Sequence, residues 1–153
     1  MRTILAISIV VLLLGFSASA QSQPNDSCEA HSNDALPKYR IAQRHDLKEG
    51  LEIVVSLGPE NVSQDHLVAI GCKLGRKFRA QPFLMVWFLD KHTIAKVWQF
   101  QTDSSSRETN LALRGSYTFD REKNSQSMTW FDQRPSDIYH KVKVDLGQAP
   151  AKP

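Results

Sequence analysis

The chain lacks most of the residue patterns by which an enzyme is identified from sequence. Its five histidines form no HExxH motif and no pair four residues apart, and its two cysteines are too distant for a CxxC site. These are the spacings that bind zinc or support thiol chemistry. No GxSxG segment occurs, and the glycine-rich segment 71–77 lacks the spacing of a phosphate-binding loop. We therefore expect no metal and no cofactor, and the pattern favours a non-catalytic protein over an enzyme.

An excess of charge of one sign is also missing. The chain has 19 Lys and Arg residues against 16 Asp and Glu residues, which gives a formal net charge of +3 at pH 7. Nucleic-acid binding depends on many clustered cationic contacts to phosphates, and the charges here are spread evenly along the chain. Nucleic acid is therefore not expected as a partner.

The length and composition are typical of one globular domain. The 153 residues are 41% hydrophobic and 23% charged, as in an ordinary single-domain protein. Residues 21–37 are polar, and residues 147–153 are rich in Pro and Ala. We predict a flexible leader at 21–37, one domain at 38–146 and a disordered tail at 147–153.

Residues 1–20 have the pattern of a signal peptide. Arg2 precedes an apolar run at 4–14, and the segment 18–20 (Ala-Ser-Ala) matches a signal-peptidase site. The apolar run is shorter than the roughly 20 residues that span a bilayer. We predict cleavage after Ala20 and export to the periplasm or the extracellular space, with no transmembrane anchor remaining. An uncleaved anchor is the alternative.

The cysteine count favours a disulfide between Cys28 and Cys72. An exported protein meets an oxidising compartment, where an even number of cysteines is typical of bridges. Two free thiols are one alternative. A catalytic Cys72 is another, because the nearby Lys73 and Arg76 would stabilise a thiolate.

The clearest helical signal lies at about 62–79. Its apolar residues are spaced three, four and four apart and therefore share one face; they are Leu67, Ile70, Leu74 and Phe78. An alternating segment at 51–57 precedes this helix, and an apolar run at 83–89, typical of a strand covered on both faces, follows it. If these two strands are adjacent, the connection through a helix makes them parallel.

The predicted fold class is α+β, with one main helix packed on a mixed, mostly antiparallel sheet. A weaker strand at 39–47 is expected to form a hairpin with 51–57. Residues 93–101 fit a short second helix, with a strand as the alternative. The last third alternates in hydrophobicity and predicts an antiparallel meander. One face of its first strand is expected to carry Leu111, Leu113, Tyr117 and Phe119, with Gly115 between them as a possible bulge.

Five side chains are candidate ligand contacts. Asp90 and His92 follow the predicted central strand, at the end where α/β sheets often bind ligands. His140 lies on the apolar face of the last predicted strand, and Trp98 and Trp130 lie on weaker elements where they could stack on a sugar or a base. The alternative for each is a structural role, as a polar turn, a buried histidine or a core aromatic.

No resemblance to a characterised family carries a function to this chain. The leading hypothesis is a small exported α+β protein that binds a ligand or a protein partner without catalysis. One alternative is a hydrolase-like enzyme with Asp90, His92 or His140 as acid–base groups, which requires two of them within about 3 Å of a common atom. The other is a secreted inhibitor that presents a rigid loop.

Overall fold

The computed structural model describes residues 28–31, 35–99, 107–133 and 139–153. These ranges contain six strands and three α-helices: β1 (Tyr39–Leu47), β2 (Gly50–Leu57), α1 (Gln64–Lys77), β3 (Phe83–Leu89), α2 (His92–Lys96), α3 (Arg107–Ala112), β4 (Leu113–Asp120), β5 (Ser125–Gln133) and β6 (Tyr139–Gly147). The predicted signal peptide and most of the predicted leader lie outside the described residues.

The six strands form one sheet in chain order, from β1 to β6. All neighbouring strands are antiparallel except β2 and β3, which are parallel. Parallel neighbours need a crossover connection, and α1 provides it. The predicted α+β class, the β1–β2 hairpin and the short second helix, observed as α2, are confirmed.

Helix α1 packs on the sheet through the predicted face. The Ser63 hydroxyl accepts a hydrogen bond from the backbone N–H of His66 at 3.2 Å and caps the helix. Leu67, Ile70 and Leu74 are fully buried, and Phe78 packs against the same core. The sequence pattern therefore identified the buried side of α1 correctly.

Two glycines bring α1 unusually close to β4. A Cβ atom on Gly71 would lie 2.7 Å from the ring of Tyr117, and one on Gly75 would lie 2.2 Å from the Tyr117 hydroxyl oxygen. That hydroxyl donates to Gln126 Oε1 at 2.8 Å, and Gln126 Nε2 donates to the Leu146 carbonyl at 3.2 Å. The glycines thus leave room for a buried, hydrogen-bonded tyrosine under the helix.

The predicted common face of Leu111, Leu113 and Tyr117 is wrong. Phe88 pairs with Gly115, but the next residue, Leu89, pairs with Leu113, so Arg114 is an extra residue in β4. Such a bulge interrupts the alternation of side chains. Leu113 consequently packs on the opposite face of the sheet from Tyr117, and Leu111 belongs to α3.

The described residues cover the second face of the sheet only in part. A small cluster packs there under α2 and α3, and it consists of Val54, Leu89, Ala95 and Ala112 with Trp87, Trp98 and neighbouring side chains. On β3, Met85 and Trp87 remain half-buried while Leu84, Val86 and Phe88 are fully buried. The prediction that β3 is covered on both faces is therefore correct for the face of Leu84, Val86 and Phe88. The opposite face, with Met85 and Trp87, is only half-buried.

Cys28 and Cys72 form the predicted disulfide, with their Cα atoms 5.3 Å apart. This bridge removes the alternatives of free thiols and of a catalytic Cys72. Leu36 and Ala149 pack against the main core, and the Pro150 carbonyl accepts a hydrogen bond from Arg121 at 3.1 Å. Contacts to the core therefore extend beyond 38–146 on both sides. No helix in the described ranges is long and apolar enough to cross a membrane.

Candidate functional site

A groove of about 600 Å³ lies at the carboxyl ends of the parallel strands β2 and β3. Its volume falls in the range of small-molecule sites, roughly 300–1,000 Å³. The start of β1, the end of β2 with the 3-10 turn Pro59–Asn61, and the segment from Asp90 to His92 contribute its walls. We call it the β2–β3 groove. Two of the five predicted site residues, Asp90 and His92, line it.

A serine–histidine hydrogen bond lies in the groove. Ser56 Oγ and His92 Nδ1 are 2.9 Å apart. Ser56 pairs with Leu89 near the end of β2, so the chain that leaves β3 and starts α2 at His92 passes over it. The Ser56 side chain is only 5% exposed. The sequence pattern does not single out Ser56, because a serine on the polar side of an alternating strand is ordinary. Its position near the end of β2 was the feature that could have identified it as a groove residue.

Asp90 is held by a neighbour from the bulge of β4. Arg114 Nε donates to Asp90 Oδ2 at 2.7 Å, and Arg114 Nη2 donates to the same oxygen. The Asp90 side chain is 6% exposed. Its second oxygen, Oδ1, is buried and has no hydrogen-bond partner among the described residues. A buried acceptor in this state costs about 1–3 kcal/mol, so Asp90 retains an unmet hydrogen-bonding capacity.

The predicted aspartate–histidine arrangement is only partly assembled. Asp90 is engaged by Arg114 and His92 by Ser56, and no hydrogen bond within the described ranges joins Asp90 to His92. The groove therefore presents a Ser56–His92 pair and a separate carboxylate.

Cationic side chains also line the groove. Lys38 and Arg40 line it at the start of β1, and neither forms an ion pair with another described residue. The Glu60 carboxylate lies against Gly58 and accepts a hydrogen bond from Asn61 at 3.1 Å.

The tryptophan candidates lie away from this groove. The Trp98 ring centroid is 5.4 Å from that of Trp87, and both belong to the smaller hydrophobic cluster. Their indole Nε1 atoms are buried and have no partner in the described part of the chain. Trp130 packs against the main core. Neither Trp98 nor Trp130 is among the residues that line the β2–β3 groove.

His140 lies on β6, where its Cα pairs with Asp132 of β5. Its side chain lies outside the described part of the structure. Strands β4 and β5 separate β6 from β3, and a strand spacing of about 4.8 Å puts the two backbones roughly 14 Å apart. The fold therefore does not bring the backbone of His140 to the groove, and a role for its side chain stays a prediction.

The described residues contain no group of three or more His, Cys, Asp or Glu side chains arranged to hold a metal ion. The chain matches no protein-family model, no curated protein and no solved structure. Its function is therefore argued from the geometry of the groove.

Proposed function

We propose that the chain is an exported binding protein that holds a small polar ligand in the β2–β3 groove. One observation carries the proposal: polar groups from three separate segments converge on a cavity of ligand size. The Ser56–His92 hydrogen bond supports it, because it holds the imidazole of His92 in the wall of this cavity.

Export is supported by the pattern at 1–20 and by the Cys28–Cys72 bridge. Disulfides persist in oxidising compartments and are rare in the cytosol. A binding protein in the periplasm or outside the cell is consistent with both features.

Binding is better supported than catalysis because Ser56 is poorly accessible. A nucleophilic serine must expose its oxygen to the carbon that it attacks. Ser56 is almost completely buried within the β2 ladder, and its hydroxyl is engaged by His92. In this geometry the pair fixes the imidazole of His92 at the groove wall.

An NMR screen tests the proposal. The ¹⁵N-labelled protein is titrated with separate pools of sugars, amino acids, organic acids and nucleosides. We expect at least one pool to shift the backbone amides of Ser56, Asn61 and His92, and this response to be lost in His92→Ala. His45→Ala, at the far end of β1, is the matched control and should respond like the wild type. The proposal is wrong if no pool shifts these amides, or if His92→Ala responds unchanged.

A hydrolase is the second candidate, favoured by the 2.9 Å contact between Ser56 and His92. A fluorophosphonate probe tests it directly: Ser56 Oγ would bond to phosphorus, fluoride would leave, and His92 would take the hydroxyl proton. Labelling lost in both Ser56→Ala and His92→Ala would support an active nucleophile. A wild-type protein that stays unlabelled after long exposure would remove this candidate.

A further inference from the structure

We infer that the β2–β3 groove recognises an oxyanion, either a carboxylate or a phosphate ester on a small organic ligand. The inference rests on the proposed binding function and names the class of ligand. It is carried by the side chains that the pairing of β1 with β2 places beside Ser56 and His92.

Arg40 is the central residue of this argument. Its Cα pairs with that of Ser56 across the two strands, and directly opposite residues project their side chains from the same face of a sheet. Arg40 is exposed and makes no ion pair with a described residue. A guanidinium group with free donors suits the planar geometry of a carboxylate or phosphate.

His92 and Lys38 add donors on the same side of the groove. When the Ser56 hydroxyl donates to Nδ1, the proton of the neutral imidazole is on Nε2, so the ring keeps one donor for a ligand. Lys38 lies two residues before Arg40, lines the groove and is likewise not ion-paired with a described residue. An anion would therefore meet three donor side chains.

The acidic residues of the groove do not cancel this preference. The Asp90 carboxylate is paired with Arg114, so its negative charge is already compensated. Glu60 is exposed and folds back over Gly58 toward its Asn61 partner. With Asp90 compensated by Arg114, the cationic groups of Arg40 and Lys38 face the single carboxylate of Glu60, so the groove keeps a net positive charge.

A matched set of probes tests the inference: butanoate, monobutyl phosphate, butanamide and butylamine each have four carbon atoms in an unbranched chain and differ in the charge of the terminal group. Each is titrated into the ¹⁵N-labelled protein at low ionic strength. We expect one or both anions to shift the amides of Arg40, Ser56 and His92, and the amide and the amine not to do so. The response should weaken as salt is added, because salt screens an exposed ion pair. The anion that responds identifies the carboxylate or the phosphate as the preferred group.

Two arginine variants provide the control. Arg40→Gln should weaken the affinity for the responding anion about tenfold, the usual effect of losing a charged hydrogen bond. Arg44→Gln should leave it unchanged, because Arg44 pairs with Ile53 on the other face and binds Asp46 at 2.7 Å. Equal shifts from butanamide or butylamine, or an unchanged response in Arg40→Gln, would overturn the oxyanion inference but leave the groove as a binding site. The absence of groove shifts with all four probes and with every pool of the wider screen would overturn both.

Discussion

Tyr117 connects the helix, the sheet and the strand pair β5–β6 through a single hydroxyl group. That hydroxyl lies under Gly75 and donates to Gln126, which in turn donates to the backbone of β6. A buried polar group is tolerated when its hydrogen bonds are satisfied and is costly when they are not. At the scale of single residues, the helix–sheet interface therefore depends on an exact fit around one phenol.

Gly75→Ala tests this fit. A Cβ at that position would lie 2.2 Å from the Tyr117 hydroxyl oxygen, so we expect a loss of roughly 1–3 kcal/mol in the free energy of unfolding, as for other overpacked sites. Urea denaturation measures it. The double variant Gly75→Ala with Tyr117→Phe should lose less than the sum of the two single changes. Strict additivity would show that the clash is not with the hydroxyl.

The ionisation of Tyr117 predicts a dependence of stability on alkaline pH. Burial raises the pKa of Tyr117 well above its ordinary value of 10.0, and the nearby Arg76 lowers it by a smaller amount. Above pH 10 the unfolded chain loses this proton while the folded protein keeps it, so the folded state is destabilised as the pH rises. The slope attributable to one such group approaches about 1.4 kcal/mol per pH unit.

Denaturation curves for the wild type and Tyr117→Phe, measured from pH 8 upward, isolate this effect because all other groups are shared. We expect the stability difference between the two proteins to be constant below pH 10 and to shift in favour of the phenylalanine variant above it. Parallel curves over the whole range would contradict a raised pKa for Tyr117.

The elements that were predicted well are those whose pattern is local. The buried face of α1 follows from spacings within fourteen residues, and the parallel pair β2–β3 follows from the helix between them. Leu113 was misplaced because one extra residue, Arg114, reverses the side-chain alternation. The adjacent Gly115 indicates a possible bulge in the local sequence, but only the pairing with β3 shows that the extra residue is Arg114.

The candidate site could be predicted only in part for a similar reason. Asp90 and His92 were found from their position after a buried strand. Their partners Ser56 and Arg114 are separated from them by 36 and 24 residues, so those pairs exist only once the strand order is fixed. A sequence pattern identifies strand ends, whereas the partners of the site residues depend on which strands are neighbours.

Strand β6 offers a matched pair of valines for testing where the core ends. Val142 and Val144 face the same side of the sheet, opposite Trp130 and Met128, but Val142 is 48% exposed and Val144 is 9% exposed. We expect Val144→Ala to cost about 2 kcal/mol of unfolding free energy and Val142→Ala to cost little. Urea denaturation compares them directly; equal losses would mean that the core extends further along β6 than its burial indicates.

At the scale of the whole molecule, the disulfide stabilises the fold by constraining the unfolded chain. It links residues 44 positions apart, and a closed loop of this length contributes about 4 kcal/mol in the chain-entropy view. Replacing both cysteines with serine should lower the unfolding free energy by about this amount. Adding a reductant should destabilise the wild type to a similar degree and leave the double variant unchanged. A reductant effect on the double variant would point to a cause other than the bridge.

The Cys28–Cys72 bridge encloses the β1–β2 hairpin in a covalent ring, while β3 to β6 lie outside it. The exposed turn at Lys48 and Glu49 lies on that ring. A single proteolytic cut at this turn would therefore release no fragment: the nicked protein would migrate as one band on a non-reducing gel and as two bands after reduction. A protein built in this way can be cleaved at this exposed turn and still keep both pieces together.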